Sequence, residues 1–471
     1  MSGQGKTQHY DLAIIGAGPA GLAAAVEAKH HGLSVIVLDE GPRPGGRIYH
    51  AVDHVVESRP ADATLLGADY TYGADLTTAF RQSGAEYFCN TPIFRLDHDG
   101  TVWFTRDGTA QTLQASATIL ATGAMERPVP VPGWTLPGVM TAGAAQLLLK
   151  GDNMIPAGPV VLMGAGPLIL LSAIQLHDAG ATIVAVVETT ALRDTLAALP
   201  HLPRALLAHE YLRKGLALRR RLKQAGIPMY SAATKLQAMG GEQVGGVTFR
   251  SSGRPVALDA DTVLLHNGVV PETHLSRQLG CTHHWDTAQH CWRPKCDAWG
   301  QTSIPNIYVA GDGGGIAGAR AAECSGHLTA LRIAEASGHL GTHEQHRLAR
   351  PWIRERAHHL AIRPFLDRMF RPSPELLSPT DDETIICRCE EVNAATIRHA
   401  ISLGCPGPNQ LKAFCRAGMG PCQGRMCQLT ITEMMAQGYG TSPAEIGSQN
   451  IRPPVKPVTL AALASMARHS E

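Results

Sequence analysis

Two stretches of the chain repeat one pattern: apolar strand, glycine-rich turn, helix, and a second apolar strand ending in an acid. The first is "DLAIIGAGPAGLAAAVEAKHHGLSVIVLDEG", Asp11 to Gly41, and the second is "PVVLMGAGPLILLSAIQLHDAGATIVAVVE", Pro159 to Glu188. Glycines at this spacing let the chain turn tightly and bring a helix against its strand, so each stretch is expected to fold as a parallel strand–helix–strand unit. In the first, Ala13 to Ile15 reads as a strand. Gly16 makes the turn, Gly18 lets a pyrophosphate approach the backbone, and Gly21 lets helix and strand pack closely. Pro19 and Ala20 lie between them at the helix start, whose N-terminus faces the phosphates. Asp39 ends the second strand, eighteen positions after Gly21, where an acid can bind both ribose hydroxyls, and Glu40 follows it. "RPGGR", Arg43 to Arg47, comes next, so Gly46 and Arg47 either extend the phosphate cradle or form a surface loop.

The second stretch keeps Gly164 and Gly166, but Ile169 stands at the third glycine position. A β-branched side chain there is expected to hold the helix off the strand and alter the phosphate turn. Glu188 still ends the following strand as an NAD-type acid would, and no arginine follows at once. The reading favours a nucleotide domain kept as scaffold, with NAD binding left open.

The chain has 471 residues, enough for two to four domains, with 44% hydrophobic and 17% charged residues. A net charge of +1 without a basic run gives no ground for a nucleic-acid partner. The longest apolar run, "PVVLMGAGPLILL", is too short to span a bilayer. The protein is read as cytoplasmic, and association with the inner membrane would be peripheral and through a complex. Eleven cysteines in a reducing compartment point to metal or cluster ligation rather than disulfides.

Four of them form two tight pairs, Cys387-x-Cys389 in "CRCEEV" and Cys422-x4-Cys427 in "GMGPCQGRMC". Four thiolates suit structural zinc or an iron–sulfur cluster, and spacing alone does not separate the two. Glycine-rich surroundings let backbone N–H groups reach the sulfurs, and a nucleotide domain in the same chain makes an electron carrier the better fit. Arg388 and Arg425 flank the ligands, either offsetting cluster charge or lying on the surface. Cys405 and Cys415 read as core residues, and Cys291 and Cys296 as structural or incidental. His327 and Glu323 read as helix-surface residues. No general base or nucleophile stands out, so the catalytic residues stay unknown.

"TSIPNIYVAGDGGGIAGARAAECSGHLTA", from Thr302, resembles the FAD strand, turn and helix of the two-dinucleotide-domain flavoproteins, the family of thioredoxin and glutathione reductases. "TILATGAMERPVPVPG" (Thr118 to Gly133) is similar to that family's crossover, and "NGVVPETHL" (Asn267 to Leu275) to its return segment. The resemblance implies FAD, with Asp312 after Gly311 on the ribityl chain. The positions expected to contact the cofactor are Gly16, Gly18, Pro19, Ala20, Gly21, Asp39, Glu40, Gly46, Arg47, Ile93, Ala121, Thr122, Gly123, Gly311 and Asp312. The redox dithiol of the disulfide reductases is missing beside the flavin. The C-terminal segment resembles the bacterioferritin-associated-ferredoxin-like (BFD-like) module, which implies a [2Fe–2S] cluster on Cys387, Cys389, Cys422 and Cys427.

Together with "GWTLPGVMTAGAAQ" (Gly133 to Gln146) and "IRPPVKPVTLAALA" (Ile451 to Ala464), these marks resemble the A or α subunits of opine oxidases, D-hydroxyproline dehydrogenases and hydrogen cyanide synthase. The implied fold class is α/β: two Rossmann-like dinucleotide-binding domains plus a small helical BFD-like [2Fe–2S] domain. The expected domains are FAD-binding at 1–127 and 261–339, an inserted NAD(P)-type domain at 128–260, a connector at 340–384, the cluster domain at 385–438 and an extended tail at 439–471. The implied function is an electron-relaying FAD and [2Fe–2S] subunit of a heteromeric amine or imino-acid dehydrogenase. Its partner would be a substrate-oxidising FAD-dependent B or β subunit. A small third subunit, an FMN at an interface between subunits, and the identity of the electron acceptor are left open. The competing readings are a self-sufficient NADH-dependent flavin reductase with the cluster as electron exit, and a non-catalytic scaffold with a zinc site.

Overall fold

The structure is a computed structural model and describes residues 8–467; the expected outer domain limits, Met1 and Glu471, lie outside the described residues. The first glycine unit builds a seven-stranded sheet. Strands Glu86–Phe88, Val35–Leu38, His9–Ile15 and Thr109–Leu120 run parallel in that order, and Ile307–Val309 adds to Thr109–Leu120 in the same direction. Thr101–Arg106 and Ile93–Leu96 continue the sheet antiparallel. Residues 302–336, far away in sequence, thus complete the sheet that residues 8–120 begin. Helix Pro19–His30 packs against helix Ala319–Ala336 so closely that a Cβ on Gly326 would lie 2.1 Å from the Ala20 carbonyl oxygen.

The second unit forms a five-stranded parallel sheet in the order Met229–Tyr230, Ile183–Glu188, Val160–Ala165, Thr262–Asn267, Val139–Thr141. Val160–Ala165 and Thr262–Asn267 are buried at every position, as expected of a parallel sheet covered on both faces. Beside it lies an antiparallel meander of Thr234–Gly240, Val244–Ser251 and Arg254–Asp259. The turn of this unit differs from the first, as Ile169 led one to expect: Gly166, capping the helix, takes φ +119° where Gly18 takes −80°. Helix Pro167–Asp178 starts three residues after Gly164, as Pro19–His30 starts three after Gly16, and Ile169 is fully buried within the core.

Helices Thr342–Leu360, Arg363–Met369 and Pro374–Leu377 lead to the cysteine segment, with Pro351 inside the first of them. There two short strands, Ile385–Cys387 and Val392–Asn393, and helices Ala394–Ser402, Pro408–Cys415 and Gln428–Tyr439 close around a separate core of Ile386, Ile397, Leu411, Ile431 and Met435. Cys405 is buried in this core and Cys415 packs against it.

The tail corrects one expectation. Residues 447–459 run along the first sheet without regular structure, with Val455 N–H donating to Phe94 O at 2.8 Å, but Pro443–Ile446 and Leu460–Ala467 are helical rather than extended. "LAALASMA" consists largely of strong helix formers, and its Ala462 packs on Phe94 and Ala110. Among the described residues no helix is long and apolar enough to cross a membrane.

Candidate cofactor sites and the bridge between them

The first glycine loop is built around contacts that only glycine permits at Gly21, where a Cβ would lie 1.9 Å from Gly16 O. At Gly18 the position a Cβ would take has no protein atom within 4 Å, an open cradle at the N-terminus of helix Pro19–His30. Asp39 accepts from Ala17 N–H at 2.6 Å and from Gly41 N–H at 2.7 Å, which fixes the carboxylate beside the loop. Burial raises its carboxyl above the ordinary value, against the pull of these two amides. Gly45 N–H donates to Ala17 O at 2.8 Å, so the "RPGGR" segment backs the loop and brings Gly46 against Gly18. An acid fixed next to an open glycine cradle fits the ribose and pyrophosphate of an adenine dinucleotide.

The other expected positions fall around this loop. Ala121 N–H donates to Ile15 O, Thr122 Oγ1 donates to Glu272 O at 2.9 Å, and Gly123 O accepts from Glu272 N–H at 3.0 Å. Gly311 N–H donates to Ser325 Oγ, and Asp312 Oδ1 accepts from Ala317 N–H at 2.8 Å and Gly318 N–H at 3.0 Å, folding the glycine turn onto its carboxylate. Pro19 and Ala20 are buried in the first turn of their helix, and the Ile93 side chain is buried in the core below the sheet. Glu40 points outward and pairs with Lys456 of the tail; exposed Arg47 donates to Ala124 O at 2.8 Å.

The second loop differs in its acid. Both oxygens of Glu188 are taken by Arg219, at 2.9 and 2.7 Å, and the carboxylate is only 1% exposed. His266 lies under this loop, its Nδ1 2.6 Å from Glu126 Oε1. A nucleotide ribose would have to displace a bidentate ion pair, the stronger kind of charged contact.

The four expected cysteines come together as two pairs. Cys387 lies beside Cys427, and Cys389 beside Cys422. The first pair is buried and the second lies at or near the surface. The Cys427 thiol, opposed by burial but joined by amides including that of Gly418 (3.5 Å to the sulfur), lowers the Cys387 thiol to about 6. Gly420 passes so near Cys389 that a Cβ would lie 2.1 Å from the cysteine Cβ. A tetrahedral zinc would draw all four sulfurs to within about 3.8 Å of one another. Among the described residues the one trio of candidate ligand atoms already within 4.8 Å of one another is Glu210, His358 and His359, so the four sulfurs would have to draw closer to hold one such ion.

Two residues that sequence reasoning did not single out, Glu272 and His274, join the two sites through Arg425. Glu272, in the return segment that bonds Thr122 and Gly123, receives Arg425 Nε at 2.9 Å and lies 2.7 Å from His274 Nδ1. Arg425 also donates to Cys422 O at 3.3 Å and Val455 O at 3.0 Å, and His274 Nε2 faces Gln423 O at 3.1 Å. Arg425 is therefore not a plain surface arginine. Burial would raise the Glu272 carboxyl, but the hydrogen bond and charge of His274 and the charge of Arg425 hold it down at about 2. Arg388 lies over the Trp134 ring at 5.2 Å, and Trp134 Nε1 donates to Ile385 O at 2.6 Å. The available signal was "PETHL" itself, an acid and a histidine two apart beside an apolar run.

His327 and Glu323 also correct the sequence reading. Both are buried: His327 Nδ1 is 2.7 Å from Glu27 Oε2 and its ring stacks on Trp352 at 3.8 Å, while Glu323 accepts from Tyr72 Oη at 2.7 Å.

Residues 10–327 match the pyridine nucleotide-disulphide oxidoreductase family, and residues 382–467 match the sarcosine oxidase A3 domain. Over 97% of its length the chain is 44% identical to the opine oxidase A subunit of Agrobacterium tumefaciens, covering 92% of that protein. The chain belongs to the family of opine oxidase A subunits. Within this family's wider circle it is 32% identical to the HcnB subunit of hydrogen cyanide synthase from Pseudomonas aeruginosa, over 96% of this chain and 98% of that one. The fold is that of the L-proline dehydrogenase structure from P. horikoshii, with a TM-score of 0.69 and 19% identity over 97% of this chain and 79% of that one. As a member of this family the protein is a flavin-dependent oxidoreductase with a Rossmann-like architecture.

Proposed function

We propose that the chain is the electron-relaying subunit of a heteromeric opine, amine or imino-acid dehydrogenase, beside a substrate-oxidising B or β subunit. FAD would be held by Gly16, Gly18, Gly21 and Asp39, with Ala121 to Gly123, Gly311 and Asp312 along its length. A [2Fe–2S] cluster would be held by Cys387, Cys389, Cys422 and Cys427. When bound, FAD supplies two-electron and one-electron chemistry and the cluster one-electron chemistry, which together let paired electrons leave singly. The observation that carries this reading is the Glu272–Arg425 bridge. It ties the crossover segment Thr122–Gly123 to the loop bearing Cys422 and Cys427, so one rigid connection spans both proposed sites. Arg425 and His274 hold the loop through the carbonyls of Cys422 and Gln423.

The names of the relatives, each one subunit of a larger enzyme, support a partner chain, and the substrate pocket would lie there. Purification of the native complex, with mass spectrometry of the co-purifying chains, tests the assignment. Anaerobic addition of an opine should then bleach the flavin absorbance of the complex but not of this chain alone. Bleaching of the isolated chain by the opine would place substrate oxidation here and overturn the division of labour.

A further inference from the structure

A cleft of about 520 Å³ lies outside both proposed cofactor sites, between helix His274–Gln278, the hairpin strand Cys291–Pro294 and the tail segment 447–452. Its charged lining residues are Arg277 and Arg452; no carboxylate lines it. His283 adds no charge, because burial and the nearby Arg277 lower it to about 4, and both its nitrogens are spent on Ser276 Oγ and Cys281 O.

Three side chains lining the cleft carry buried polar atoms without a partner: Arg277 Nε, Trp292 Nε1, and both amide atoms of Gln449. Among the described residues Arg277 has no carboxylate within 4.0 Å. With its amide turned oxygen-first, Gln428 satisfies Nη1 and Nη2 at 2.5 and 3.3 Å and leaves Nε over. Gln449 is 1% exposed and its amide lies against Gly418 and Gly424 of the cysteine loop. Each buried donor left unmade costs roughly 1–3 kcal/mol, and three on one cleft are a concentration that calls for a ligand.

We infer that this cleft binds a small organic anion, a carboxylate or a phosphate monoester. Its oxygens would accept from Arg277 Nε, Trp292 Nε1 and Gln449 Nε2, with charge-assisted bonds from the guanidinium. The volume is that of a metabolite site, larger than one inorganic ion needs. The ligand would rest on Gln449 and so against the loop of Cys422 and Cys427.

Titration calorimetry of the protein as purified, with its cofactors, against succinate, AMP and inorganic phosphate tests the inference. Saturable binding of succinate alone marks a carboxylate site, and binding of AMP alone a phosphate-ester site. Either affinity should fall at least about tenfold in Arg277→Met and several-fold in Trp292→Phe, which keeps an aromatic ring but loses the N–H. Arg452→Ala, at the exposed rim, should weaken binding a few-fold without a change in fold. Three results would overturn the inference: no binding of any probe by the wild type at 10 mM-scale concentrations, binding of inorganic phosphate alone, or binding that is unchanged in both Trp292→Phe and Arg452→Ala.

Discussion

Arg425 Nε lies 2.9 Å from Glu272 Oε2, and the two side chains are only 16% and 19% exposed. Breaking such a pair strands a charge in a poor environment, which costs roughly 3 kcal/mol. Glu272→Gln should therefore lower the melting temperature and speed hydrogen exchange in residues 418–427. Unchanged exchange there would show that the bridge does not hold the loop.

Glu272, held by His274 first and Arg425 second, sets an acid dependence. The Glu272 carboxyl is held at about 2 in the folded protein against 4.5 ordinarily. Its folded value is depressed, so its contribution is fully present above about pH 4.5 and is lost as pH falls toward 2. That contribution is about 3 kcal/mol at most. Urea midpoints measured between pH 3 and 6 should fall more steeply on the acid side for the wild type than for Glu272→Gln. Parallel profiles would contradict the assignment.

Gly18→Val puts side-chain atoms into the open cradle, where no protein atom lies within 4 Å of the Cβ position. The fold has no reason to change, whereas the pyrophosphate loses its place. The purified variant should show native circular dichroism and little FAD absorbance near 450 nm. Full FAD content in a folded variant would remove this loop from the binding site.

The second loop should not support fast reduction by NADH. Arg219 occupies both oxygens of Glu188, and Ile169 fills the third glycine position. Stopped-flow mixing of the wild type with NADH should bleach the flavin more slowly than about 1 s⁻¹, the low end of enzyme turnover. Faster bleaching would revive the self-sufficient reductase reading.

Much of the fold was legible because it rests on local patterns. The strand–turn–helix periods around Gly16 and Gly164 and the acids at Asp39 and Glu188 each sit within one short window. What was not legible depends on distant partners. Nothing near Glu188 announces Arg219, thirty-one residues on, and nothing near Arg425 announces Glu272, 153 residues earlier. At Ile169 the local window announces the altered turn, Gly166 at φ +119° against −80° at Gly18, but not the distant core that takes the side chain in. His327 and Glu323 read as surface residues because their partners, Glu27 and Tyr72, come from the other end of the chain.

The most direct measurement is the metal content of the purified chain, read with its EPR spectrum after dithionite reduction. The account predicts about two iron atoms and no zinc per chain, with the signal of one reduced [2Fe–2S] cluster, and loss of both iron and signal in Cys422→Ser. One zinc and no iron, in a wild type that still binds FAD, would contradict both the cluster and the relay.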